Sequence, residues 1–125
     1  MSDQYSATCL CGAVHIKFDE PSTFAVKCYC RDCQHISGGG HLPQLLVKRE
    51  GLEISGPLTT FKYISDDGND VTTNFCNTCG SPLYKTTAKM GDKIFVVAGA
   101  LVDPDIFNDP IDVFDDRRQK WDKSS

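Results

Sequence analysis

Seven cysteines fall in three tight blocks: Cys9-Leu10-Cys11, Cys28-Tyr29-Cys30-Arg31-Asp32-Cys33, and Cys76-Asn77-Thr78-Cys79. An odd number cannot all pair as disulfides, and the three thiols of the middle block cannot all pair with one another. All three can reach one metal ion. Residues 1–6 are polar and carry no apolar leader. No apolar run approaches the roughly 20 residues that span a bilayer. The expected setting is a reducing compartment, the cytoplasm or additionally the nucleus. There, closely spaced cysteines serve as metal ligands or catalytic groups rather than disulfides.

With 125 residues and 40% hydrophobic content, the chain fits a single domain over residues 1–125 whose core needs no disulfide staples. The formal net charge of -4 argues against nucleic acid as a partner, because phosphate contacts require clustered Lys and Arg. No polybasic patch suits an anionic membrane.

Alternation of apolar and polar residues predicts short strands at 14–18, 24–28, 41–49, 53–55, 58–64, 71–75, 82–87, 94–98 and 111–114. Turns are expected at 19–22, Gly56-Pro57, 66–69 and 90–92. Residues 31–37 suit one helical turn closed by Gly38-Gly39-Gly40, and Asp103-Pro104-Asp105 reads as a helix cap. With no long helical period, the fold class is mainly β: packed sheets or an open barrel. Phe61, Tyr63, Tyr84, Phe95 and Phe114 are expected in the core, with Tyr29 facing away from the metal. The charged segment 115–125 is expected to be loosely held, with Trp121 docking part of it.

Cys9 and Cys11 stand two apart, so on an extended strand both sulfurs aim at one side. Cys76-Asn77-Thr78-Cys79-Gly80 wraps a turn around an ion. Together they supply a closed tetrahedral zinc site of four thiolates. The alternatives are plain buried cysteines and a redox pair at Cys76 and Cys79, which would need a βαβ context. Cys28, Cys30 and Cys33 supply three ligands and leave a fourth position on a second zinc for a thiol substrate. Lys27, Arg31 and His35 flank them. Arg31 and His35 are candidate catalytic groups, for pairing with a substrate carboxylate and for proton transfer, and each could equally face solvent. His35 could instead be a fourth ligand, closing the site. The triple glycine could present N–H groups to an anion or form a plain turn.

The run Cys9-Leu10-Cys11-Gly12-Ala13-Val14, the run Cys28 to Gln34 with Ser37-Gly38 after it, and the run Phe75-Cys76-Asn77-Thr78-Cys79-Gly80-Ser81-Pro82-Leu83 resemble the glutathione-dependent formaldehyde-activating enzyme family, which includes centromere protein V. Val97-Ala98-Gly99-Ala100-Leu101 followed by Asp103-Pro104 is similar to that family's later strand and turn. The resemblance implies a β-tent (Mss-four-like) fold of stacked antiparallel sheets. It implies a structural zinc on Cys9, Cys11, Cys76 and Cys79, and a labile zinc on Cys28, Cys30 and Cys33. The activity it implies is carbon–sulfur lyase chemistry of the S-(hydroxymethyl)glutathione synthase type, which joins glutathione and formaldehyde. The family pattern has His where this chain has Tyr29. The alternative reading is a non-catalytic zinc-binding module that binds a thiol, a peptide or a protein. A chromatin-type interaction protein is a third, and the acidic charge and the absence of a basic arm weigh against it.

Overall fold

Strand alternation sorts the side chains into two faces, and the pairing of strands turns those faces into layers. The computed structural model describes residues 5–19 and 24–122. The strands are β1 (Tyr5–Thr8), β2 (His15–Phe18), β3 (Ala25–Cys28), β4 (Leu42–Lys48), β5 (Glu53–Ser55), β6 (Leu58–Ile64), β7 (Asp70–Cys76), β8 (Pro82–Thr87), β9 (Lys93–Val97) and β10 (Ile111–Val113). One helix, α1 (Arg31–Ser37), interrupts them. No helix among the described residues is long and apolar enough to cross a membrane. The turn expected at 19–22 falls mostly outside the described residues.

A small sheet has the order β1-β2-β5, and a large one the order β10-β3-β4-β9-β8-β7-β6. The fold is therefore mainly β with stacked sheets, as expected. The pairing is not wholly antiparallel, because β10 runs parallel to β3, with Val113 beside Cys28. The chain reaches that edge after a crossover through a short 3₁₀ turn (Pro104–Ile106) that Asp103 caps.

On β4 the register places Leu45 and Val47 opposite Val96 and Ile94, and Gln44 and Leu46 opposite Val97 and Phe95. The first set packs with Ile16, Phe18 and Leu83 to form the main core between the sheets. Each such side chain contributes about 1.5–3 kcal/mol on leaving water. The second set lies on the other face of the large sheet, which carries α1 and a cavity. Cys28, Cys33, Leu42 and Val97 form a small separate cluster there.

Of the five aromatics expected in the core only Tyr84 packs against it: Tyr63 and Phe95 line the cavity on the other face, and Phe61 is 61% exposed and Phe114 59%. Phe61 sits on β6, the edge strand of the large sheet, most of whose residues are exposed. The segment after β10 docks, but Trp121 does not hold it, being 67% exposed. Instead Gln34 Nε2 donates to the Arg117 carbonyl (3.2 Å), Gln119 Nε2 donates to Gln34 Oε1 (3.0 Å), and the Arg118 guanidinium lies 4.2 Å from the centre of the Tyr29 ring. Tyr29 is buried against Arg118 and His41, away from the thiols that flank it.

Candidate metal centres

The first cluster is made by two turns. Gly12 N–H donates to Cys9 O (3.1 Å) and Gly80 N–H donates to Cys76 O (2.9 Å), so each turn closes on its own first cysteine. Both glycines have φ near +80°, a region that side chains disfavour. The extended strand expected at Cys9 and Cys11 is thus a turn. Alternation is not needed to converge the sulfurs, because the turn itself brings them to 3.6 Å.

Cys11 Sγ lies 3.7 Å from Cys76 Sγ, and all four thiol sulfurs of Cys9, Cys11, Cys76 and Cys79 lie within 4.8 Å of one another. Tetrahedral zinc with bonds of about 2.3 Å requires sulfur separations of about 3.8 Å, so the donor set fits the ion. Backbone N–H groups are aimed at the sulfurs: Val14 at Cys9 (3.3 Å), and Thr78 and Cys79 at Cys76 (3.3 and 3.5 Å). Donors of this kind favour thiolate over thiol. The Ser81 hydroxyl, 3.2 Å from Cys79 Sγ, holds that thiol down, to about 5.

The second cluster is local. β3 ends on Cys28, Cys30 caps α1, and Cys33 returns one turn later. The Cys33 N–H donates to Cys30 Sγ (3.4 Å), and Cys28 Sγ lies 3.5 Å from Cys30 Sγ. The three sulfurs also lie within 4.8 Å of one another, and the group contains no histidine. They again fit one zinc, with one ligand fewer. Cys30 is held far below the ordinary thiol range by hydrogen bonds from Cys28 and then Cys33, with the Lys85 charge acting in the same direction. Cys28 and Cys33 are pushed up, chiefly by donating to their neighbours. A divalent ion would allow all three to ionise.

Beside these thiols opens a cavity of about 430 Å³. Phe24, Val26, Leu46, Val71, Phe95 and Val113 give it apolar walls, and Asp66, Asp67, Lys89 and Arg117 add charge. The Lys85 side chain reaches in from β8. It is 9% exposed, with Nζ 3.5 Å from Cys33 Sγ and 5.5 Å from the centre of the Phe95 ring. Tyr63 lines the same space; burial, and then the charge of Cys33, push its phenol up, so it stays a proton donor.

The flanking residues singled out from the sequence go elsewhere. Arg31 is exposed and donates to Gln34 Oε1. His35 is exposed, with Nδ1 2.8 Å from the Arg31 carbonyl. Neither lines the cavity, because α1 presents Cys33 to the sheet and these two side chains to solvent. Lys27 pairs with Asp112 on β10 (3.4 Å). The residues that do line the site and had no signal are Lys85, Tyr63 and Arg117. Gln34, 4% exposed and inside the middle cysteine block's neighbourhood, does not line the cavity but donates to the Tyr29 and Arg117 carbonyls.

The profile described as glutathione-dependent formaldehyde-activating enzyme matches residues 4–117. The chain belongs to that family. A comparison with curated proteins finds no match. A crystal structure of a Rhodobacter sphaeroides protein superposes with a TM-score of 0.67 at 21% identity, covering 86% of this chain and 99% of that one. At that identity the likeness concerns the fold. The two thiol clusters, of four and three sulfur donors, are each spaced to hold a zinc ion.

Proposed function

We propose that this chain is a zinc-dependent carbon–sulfur lyase-type enzyme acting on a small thiol adduct, with glutathione as the thiol and S-(hydroxymethyl)glutathione as the family's adduct. Cys9, Cys11, Cys76 and Cys79 would hold a structural zinc, and Cys28, Cys30 and Cys33 a second, more labile one. When bound there, zinc supplies a Lewis-acidic position that favours a substrate thiol in its thiolate form. The observation that carries the reading is the open side of the three-thiol cluster: it faces a cavity into which a buried ammonium projects.

The chain's own groups divide the work. In the forward direction the sulfur of the thiol bonds to the carbonyl carbon, and the carbonyl electron pair moves to oxygen, which ends with the proton the thiol gave up. Lys85 and the Tyr63 phenol are the donors in the cavity that can meet that oxygen as its charge develops. The apolar walls keep water from competing for it. Asp66, Asp67, Lys89 and Arg117 supply both signs of charge for a zwitterionic peptide thiol.

One observation favours the second reading, a zinc-binding module that binds a thiol without transforming it: no histidine lines the cavity to exchange protons near neutral pH. NMR of the hydroxymethyl signal, with glutathione and formaldehyde present, separates the two. An enzyme brings the exchange above the spontaneous rate in proportion to protein. A rate equal to the spontaneous one leaves the binding module.

A further inference from the structure

The cavity walls are made for more than one carbon. With the charged ends of the peptide thiol met by Asp66, Asp67, Lys89 and Arg117, a hydroxymethyl group brings no apolar surface to Val26, Leu46, Phe95 and Val113 in the same cavity, and apolar walls of that kind favour an apolar occupant. Phe114 extends the same lining. Its ring is 59% exposed, and among the described residues it belongs to neither core cluster. Its backbone stands at φ 55°, ψ 36°, the left-handed region, which is an outlier for a bulky side chain.

The chain on both sides enforces that conformation. Tyr29 N–H donates to Val113 O (3.0 Å), Arg117 N–H donates to Phe114 O (3.0 Å), and Gln34 Nε2 donates to Arg117 O (3.2 Å). A strained, solvent-exposed aromatic that the surrounding hydrogen bonds hold over a cavity is placed for a ligand rather than for the core.

We infer that the site takes thiol adducts whose carbonyl-derived part is a bulky apolar group, aromatic or branched, and that Phe114 selects for it. The inference rests on the thiol-adduct reading above. The reaction is R–SH + R′–CHO ⇌ R–S–CH(OH)–R′. One carbon–sulfur bond forms, the carbonyl π bond breaks, the thiol proton ends on oxygen, and no further reactant is needed. Lys85 and Tyr63 meet the oxygen while Phe95, Val113 and Phe114 surround R′.

Calorimetric titration of the full-length, zinc-loaded protein tests this with glutathione, S-methylglutathione and S-benzylglutathione as probes. The two thioethers differ only in the apolar group. The expected result is S-benzylglutathione binding at least about 10-fold tighter than S-methylglutathione, as burial of several added carbons predicts. Equal or weaker binding of the benzyl probe, with glutathione itself bound, overturns this inference and leaves the thiol-adduct reading standing. Failure of all three to bind sinks both.

Phe114→Gly then separates ligand selection from structure. Glycine relaxes at positive φ, so the melting temperature is expected to hold or rise while the benzyl-to-methyl preference collapses toward one. Phe114→Asn, which also tolerates that region, is the second variant. A preference that survives in either variant overturns the role of Phe114.

Discussion

The four-cysteine cluster joins two turns that lie 65 positions apart at Cys11 and Cys76. The three-cysteine cluster is drawn from a single strand-to-helix passage. In the first, backbone N–H groups and the Ser81 hydroxyl surround the sulfurs. In the second, the neighbour is a buried ammonium and the open side is a cavity. On the proposed assignment, the same ligand chemistry would serve two ends. A cross-link that closes a loop of that length removes roughly 4 kcal/mol of unfolded-chain entropy, and one that closes a six-residue loop roughly 2. The distant pairing is the one that stabilises a fold. The local one costs the chain little if it stays open, which suits a site that binds and releases.

Cys79→Ser gives the largest expected effect. Structural zinc sites contribute on the order of 10–16 kcal/mol in small peptides, comparable to or greater than the 5–15 kcal/mol of net stability typical of a domain. The variant should lose its cooperative thermal transition by circular dichroism and its tightly held zinc. A folded variant that still melts sharply would erase the distinction between the clusters. Cys30→Ser is the counterpart. It should reduce bound zinc from two ions per chain to one and abolish adduct formation, while the melting temperature shifts by only a few degrees. An unfolded Cys30→Ser protein would show that both clusters are structural.

Lys85→Met sharpens the contrast with a smaller effect. Methionine keeps the length of the side chain and removes the charge beside Cys33. If the ammonium meets developing negative charge, kcat/KM for adduct formation should fall by about 100-fold, the loss typical of one such donor, with both zinc ions retained. If Lys85 only balances the thiolates, zinc affinity will drop instead and turnover per bound zinc will hold.

Most strands and both cysteine groupings could be read from the residues, because strand alternation and metal-ligand spacing are local signals. Lys85 could not. In the run Leu83-Tyr84-Lys85, simple alternation puts Lys85 on the same face as Leu83, a core residue, where a charge has no place. The register of β7 against β8 slips between Asn74 and Phe75, so Asn74 pairs with Tyr84 and Phe75 with Pro82. Leu83 is left as the extra residue of a β-bulge, and everything after it changes face. Lys85 thereby comes opposite Phe95, on the cavity side. Bulges beside functional sites re-aim side chains in this way, and nothing in the spacing announces one. Arg31 and His35 failed for the converse reason. Closeness in sequence to the ligands places them on α1, but seven residues of helix have an outer face, and they are on it.

The smallest expected effect concerns what holds the open cluster to the rest of its cavity. Gln34 is the shared partner: Nε2 donates to Tyr29 O (2.7 Å) and Arg117 O (3.2 Å), and Oε1 accepts from Gln119 Nε2 (3.0 Å) and from Arg31. One amide therefore ties the loop between Cys28 and Cys30 to the segment that carries Phe114 and Arg117. Gln34→Leu fills the same space and removes the donor to the buried Tyr29 carbonyl and the half-buried contacts to the 117–119 segment, at a cost of about 1–3 kcal/mol, or roughly 5–10 °C in melting temperature for a chain this size. Because Gln34 makes none of the hydrogen bonds around the four-cysteine cluster, its zinc should stay bound. Cleavage by a protease should move to residues 115–122, and the second zinc should leave faster to a chelator. A uniform loss of protection along the chain would mean that the open cluster is not an independently adjustable part of the molecule, and the contrast drawn between the two clusters would fail at its weaker end.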